Sequence, residues 1–141
     1  MTRDLLATIV RLRQNAMNEA RRVLAYCLTT EARHAAAFSA VDAQLQRELA
    51  SVRSLDRSDS AVEVFAVWLA HYRTALGKAR SDLDRSIAQT YLARAALSAT
   101  QSALDAAEAL HKLQQMQLQC DEIKKEQNVS DELVCQRNRT H

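Results

Sequence analysis

The chain has no proline and one glycine, Gly77, in 141 residues. Sheets and tight loops need turn residues at nearly every connection. A chain without them can make only one or two sharp turns. It is therefore expected to be all-α, with few and long helices. The rest of the composition agrees. Alanine is about one residue in six, and Leu, Gln, Arg and Glu are abundant, which are the strong helix formers. Leu, Ile, Val and Phe make up only about a quarter of the chain, so the expected core is thin and lined with alanine.

An apolar stripe runs through Leu5, Ile9, Leu12, Ala16, Ala20, Val23, Cys27, Thr30, His34, Phe38, Val41, Leu45, Leu49 and Val52. Its steps of three and four residues predict one helix from about Arg3 to Leu55. The stretch SLDRSDSAVE follows, with the pair Ser60 and Glu63 at capping-box spacing. It is the expected turn, at about 56–60. A second stripe takes in Val62, Phe65, Leu69, Tyr72, Leu76, Ala79, Leu83 and Ile87. It continues through Arg94, Leu97, Gln101 and Leu104 towards Leu110, Leu113 and Ile123. Its spacing is nearer the ~3.5 of a coiled coil. The second helix is expected over about 61–134, with a frayed tail to 141. Gly77 reads as a tolerated helix glycine.

A short turn between long helices makes them antiparallel neighbours. The expected fold is an antiparallel two-helix coiled-coil hairpin, one elongated domain with the longer helix second. With the turn near Ser58, Leu5 falls opposite His111. The residues after about Leu113 then have no partner from the first helix, an overhang of roughly 30 Å on a rod of over ~100 Å.

Few function classes remain open. The net charge is +2 and both signs are interspersed, which disfavours nucleic acid and anionic membranes. Cys27, Cys120 and Cys135 have no metal-ligand spacing and are odd in number, as expected of reduced thiols in a cytosolic chain. No stretch reaches the ~20 apolar residues of a membrane span. The basic start lacks a signal-peptide apolar region and cleavage site, so the chain reads as soluble and unexported. NVS and NRT match glycosylation sequons, which carry no meaning in the cytosol.

In the hairpin register His34 falls near Asp82 and His71 near Leu45. No metal site, cofactor, catalytic residue or small-molecule substrate is expected, because a two-helix rod offers no pocket of converging groups. Glu108 with Lys112, and Asp121 with Lys125, have the spacing of helix ion pairs.

Two surfaces remain as candidates for binding other proteins. Phe65, Trp68, Leu69 and Tyr72 cluster just after the turn. Phe65, Leu69 and Tyr72 fit the seam, while Trp68 lies beside it with Val67 and His71. On the overhang a narrow stripe of Leu113, Met116, Cys120, Ile123, Gln127 and Leu133 or Val134 suits docking into a groove or ring.

Several segments resemble one family. The start LATIVRLRQNAMNEARRVLAYCL is similar to the opening of the flagellar export protein FliJ family, through Leu12-Arg13, Glu19-Ala20-Arg21 and Leu24-Ala25. FAVWLAHYRTALGKAR is similar to its second-helix start. EALHKLQQMQLQCDEIKKEQNVSDEL resembles its tail, with Glu126-Gln127 followed by Asp131-Glu132. The resemblance spans nearly the whole chain; the low acidic content of the middle and the ending LVCQRNRTH depart from it.

The resemblance implies an antiparallel two-helix coiled coil, similar to the coiled-coil part of the rotary ATP synthase gamma subunit. It implies a cytoplasmic component of the flagellar type III export apparatus, peripherally associated with the inner membrane. Its partners would be the hexameric export ATPase, the cytoplasmic linker of the export gate membrane protein, and export chaperones. Leu113, Met116, Ile123, Gln127 and Leu133 would then meet the ATPase ring, and Phe65, Trp68, Leu69 and Tyr72 the gate. The alternatives are the stalk of an injectisome secretion ATPase, or an adaptor that dimerises into a four-helix bundle.

Overall fold

The computed structural model describes residues 2–53 and 59–140, with side chains over 4–53 and 61–140. It contains two helices, α1 (Thr2–Arg53, 52 residues) and α2 (Asp59–Arg139, 81 residues). They pack against each other as an all-α hairpin with the longer helix second. The expected turn lies outside the described residues as far as 58, as do Leu55 and the Ser60 side chain invoked as a cap. α2 does not fray after 134; it continues to Arg139. No described helix is long and apolar enough to cross a membrane.

The chain divides into two units, each pairing a stretch of α1 with a stretch of α2. One comprises Glu19–Ser98, and the other Met1–Asn18 with Ala99–His141.

In the unit Glu19–Ser98, the α1 row at the seam is Ala20, Leu24, Cys27, Thr30, Glu31, His34, Phe38, Val41, Leu45, Leu49 and Val52, all half-buried or buried. Facing it, α2 supplies Phe65, Leu69, Tyr72, Leu76, Ala79, Leu83, Ser86, Thr90, Ala93 and Leu97. Two contacts set the antiparallel register. The Thr90 hydroxyl donates to the Cys27 carbonyl at 3.4 Å, and the Arg80 guanidinium lies over the Phe38 ring, 5.6 Å from its centroid. Residues whose numbers sum to about 117 therefore face each other, within one of the register expected from sequence.

The seam is close because it is small. Ser86 is 3% exposed and Thr90 is 4% exposed, less than any apolar residue of the chain's core. Burying a hydroxyl is costly unless it is paired. Here Ser86 donates to the Leu83 carbonyl at 2.7 Å, and Thr90 also donates to the Ser86 carbonyl at 3.0 Å. Their hydrogen-bonding needs are met on their own helix, so the two helices close on small side chains without a desolvation penalty.

This corrects the expected stripe. Ile87 is 46% exposed and Arg94 is exposed; between Leu83 and Leu97 the covered row runs through Ser86, Thr90 and Ala93 instead. Val23 is exposed, and Leu24 takes its place. Val62 is exposed too.

In the unit Met1–Asn18 with Ala99–His141, the covered residues of α1 are Leu6, Ile9, Val10 and Met17. Those of α2 are Thr100, Ala103, Leu104, Ala107, His111 and Gln114. Leu5, Leu12 and Ala16, expected in the seam, are exposed, as are Gln101, Leu110 and Leu113. On α1 apolar residues stand side by side (Leu5 with Leu6, Ile9 with Val10, Ala16 with Met17), so two stripes one residue apart compete for the seam. The stripe that wins on α2 runs Thr100, Leu104, Ala107, His111, Gln114 in strict steps of four and three, the coiled-coil spacing.

Candidate protein-docking surfaces

The first surface lies within the unit Glu19–Ser98, at the start of α2. Helical spacing of three and four residues stacks its rings along one side. Phe65 and Trp68 have centroids 5.5 Å apart and near-parallel rings, and Trp68 meets Tyr72 at 4.2 Å with a 43° tilt. His71 packs edge-on to Tyr72 at 6.4 Å. Phe65, Trp68, Leu69 and Tyr72 are all half-buried.

Phe65 and Trp68 close a shallow hollow with Glu48 and Val52 of α1 and Ala61 and Val64 of α2, so they anchor the helix pair as well as edge the surface. On the other flank of Trp68, Glu63, Val64, Val67 and His71 line an open and almost wholly apolar depression. Val64 is 71% exposed and Val67 is 75% exposed. These two valines are the most accessible apolar side chains of the patch, and Val64 is not among the residues expected there from sequence. The signal was present: 64, 67, 68 and 71 repeat at helical spacing, one residue off the seam row. Aromatic anchors flanked by exposed apolar side chains are the usual makings of a protein-binding spot.

The second surface lies within the other unit. Every residue from Gln115 to Thr140 is exposed, so α2 stands uncovered beyond Gln114. Continued at the same spacing, the seam row would read Leu118, Asp121, Lys125, Asn128, Glu132 and Cys135. That row turns polar where α1 ceases to cover it, and the helix therefore loses little by having no partner there. The apolar residues sit elsewhere. Leu113, Met116, Cys120, Ile123, Gln127 and Val134 form a row on the side of α2 turned away from the seam, at helical spacing.

Among them Leu113, Met116 and Ile123 are more than half exposed. Leu133 falls outside this row. It joins Val129, one turn earlier, in a shallow patch with Lys125, Glu126 and Ser130. The five candidate residues of the overhang thus divide between two faces, four on one and Leu133 on the other.

Neither surface gathers reactive groups. Among the described residues no three His, Cys, Asp or Glu side chains approach as metal ligands would, and Cys27, Cys120 and Cys135 are free thiols. The described ion pairs are Glu19 with Arg22 at 3.4 Å and Arg80 with Asp84 at 3.7 Å, both on the surface. The expected pairs Glu108–Lys112 and Asp121–Lys125 do not close. No protein-family model, curated protein or solved structure matches the chain.

Proposed function

We propose that the chain is a non-enzymatic coiled-coil component of the flagellar type III protein export apparatus. It is the stalk-like partner of the hexameric export ATPase, and links that enzyme to the export gate and to export chaperones from the cytoplasmic side of the membrane. The observation that carries this reading is the stretch of α2 beyond Gln114. It is helical to Arg139, exposed to Thr140, and presents the Leu113, Met116, Ile123 row with each of the three more than half exposed. A helix that keeps such a row uncovered is suited to insertion into a groove or ring. The resemblance of the same stretch to the tail of the export family supports the export ATPase as that ring.

The aromatic patch would then meet the gate. Val64, Val67 and Trp68 are the contact residues in this reading, and Phe65, Leu69 and Tyr72 hold the helix beneath them.

Pull-down with the export ATPase encoded in the same genome tests the reading. The chain ending at Gln114 should lose ATPase binding and keep its hairpin helicity by circular dichroism. Retention of ATPase by the shortened chain would refute the ring-docking role. For the gate, Val64→Asp with Val67→Asp should weaken binding to the gate's cytoplasmic linker at least tenfold. Unchanged gate binding by a folded double variant would remove that half of the proposal.

A further inference from the structure

Within the unit Met1–Asn18 with Ala99–His141 the two sides of the seam differ in chemistry. Two antiparallel helices place the residues that immediately precede seam positions on one common side, and those that immediately follow on the other. The preceding residues are Leu5, Ile9 and Ala16 on α1, with Leu12 between Ile9 and Ala16 at helical spacing on the same side, and Ala99, Ala103, Ala106, Leu110 and Leu113 on α2. None of them is charged. The following residues include Arg11, Asp105, Glu108 and Lys112, with Gln14 and Gln101 among them. One side is therefore apolar and the other is charged.

Apart from Ile9 and Ala103, which are half-buried, the apolar side is open. Leu5, Leu12 and Leu110 are each 59% exposed and Leu113 is 63% exposed. The hydroxyl of Thr8, at its border, donates to the Asp4 carbonyl at 2.7 Å and so asks nothing of a partner. A contiguous apolar side of this kind calls for a cover.

We infer that this side is the interface between two copies of the chain, which pair face to face as a four-helix bundle. Three features specify a second copy as the occupant. The side carries no charge, so it matches a surface equally free of charge, which this face itself provides. It is also graded in size. Leu5, Ile9, Leu110 and Leu113 crowd one end and Ala16, Ala99 and Ala103 form the other, with Leu12 and Ala106 level with each other between them. A copy turned through a two-fold axis at the middle of this face lays its leucine end over the alanine end of its partner, with large side chains entering spaces left by small ones, the self-complementarity that an isologous contact requires. Wholly buried, its exposed side chains would contribute at most on the order of 600 Å² per chain, about 1,200 Å² for the pair, which just reaches the lower bound of specific interfaces. A contact of that size gives a reversible dimer that depends on concentration. The charged side stays in water.

Sedimentation equilibrium on the full chain over a range of concentrations tests this. The expected mass rises from the 15.8 kDa of one chain towards twice that value. Leu12→Glu and Leu110→Glu should each hold the mass at that of one chain with unchanged helicity, and Lys112→Gln, on the charged side, should leave the dimer intact. In a background with Cys27, Cys120 and Cys135 changed to Ala, Ala106→Cys should cross-link between copies on oxidation, and Asp105→Cys should not. A native chain that stays monomeric up to millimolar concentration overturns the inference. So does a dimer that survives both leucine substitutions, since its interface would lie elsewhere. ATPase binding enters none of these measurements; because Leu113 belongs to both surfaces, the substitutions are made at Leu12 and Leu110 and leave the Leu113, Met116, Ile123 row unchanged.

Discussion

The hydroxyl of Thr90 donates to the main-chain carbonyl of Cys27 at 3.4 Å, across the seam from α2 to α1. The same hydroxyl lies 3.0 Å from the Ser86 carbonyl on its own helix, so one proton is shared between two acceptors. A side chain can reach the backbone of the neighbouring helix only where the two helices run close. With Ser86 and Ala93 one turn to either side, Thr90 marks the close approach in the unit Glu19–Ser98.

Close approach reverses the usual effect of adding bulk to a coiled-coil seam. Thr90→Leu places a textured apolar side chain at a seam position, yet should lower stability by about 1–3 kcal/mol, because there is no room for it. Thr90→Val, similar in shape, removes only the shared hydrogen bond and should cost about 1 kcal/mol or less. Urea unfolding of both variants checks this. A stabilised leucine variant would mean that the helices have space between them.

Two leucines of α2 should respond very differently to truncation. Leu104 is 6% exposed in the seam, and Leu104→Ala should cost about 2–4 kcal/mol. Leu113 is 63% exposed, and Leu113→Ala should change monomer stability by no more than about 0.5 kcal/mol. The comparison is made at low protein concentration, where association does not contribute. Equal losses would contradict the seam assigned to this stretch.

Gly77 has open space where a Cβ would sit, with nothing within 4 Å, and its φ is not positive. Gly77→Ala therefore meets no clash and gains helix propensity. Thermal unfolding should show a gain of about 1 kcal/mol. A loss instead would point to a close packing partner at this position.

The stretch beyond Gln114 depends on its own helix propensity alone, and isolated helices of that length are marginal in water. Its amides should exchange with solvent far faster than those from Ser86 to Leu104, where both helices must separate before exchange. Native-state hydrogen exchange read by mass spectrometry separates the two segments. Equal protection in the free chain would mean that something covers the tail. Ending the chain at Gln114 should correspondingly leave the unfolding midpoint of the hairpin within measurement error.

Much of this protein is legible in its residues. The lack of proline with a single glycine determines long helices, the polar run between Val52 and Val62 breaks them once, and the unequal lengths on either side make the second helix the longer. Even the register follows to within one residue, since it depends on chain length and the place of the break. The aromatic row from Phe65 to Tyr72 and the uncovered end of α2 follow from the same counting.

The phase of each helix about its own axis follows only in part: the expected rows from Cys27 to Val52 and from Phe65 to Leu83 are the seam, and several expected positions outside them are exposed. Where leucines, valines and alanines stand side by side, periodicity admits two seams one residue apart, and only the partner helix selects between them. The structure selects Ser86, Thr90, Ala93 and Thr100 over Ile87, Arg94 and Gln101, and keeps the expected Leu97 and Leu104; small side chains, with the Ser86 and Thr90 hydroxyls bonded on their own helix, allow the helices to approach. That selection leaves Leu5, Leu12, Leu110 and Leu113 outside. The sequence determined how long the helices are and how they align; the packing of one against the other decided which apolar residues are core and which remain as surface.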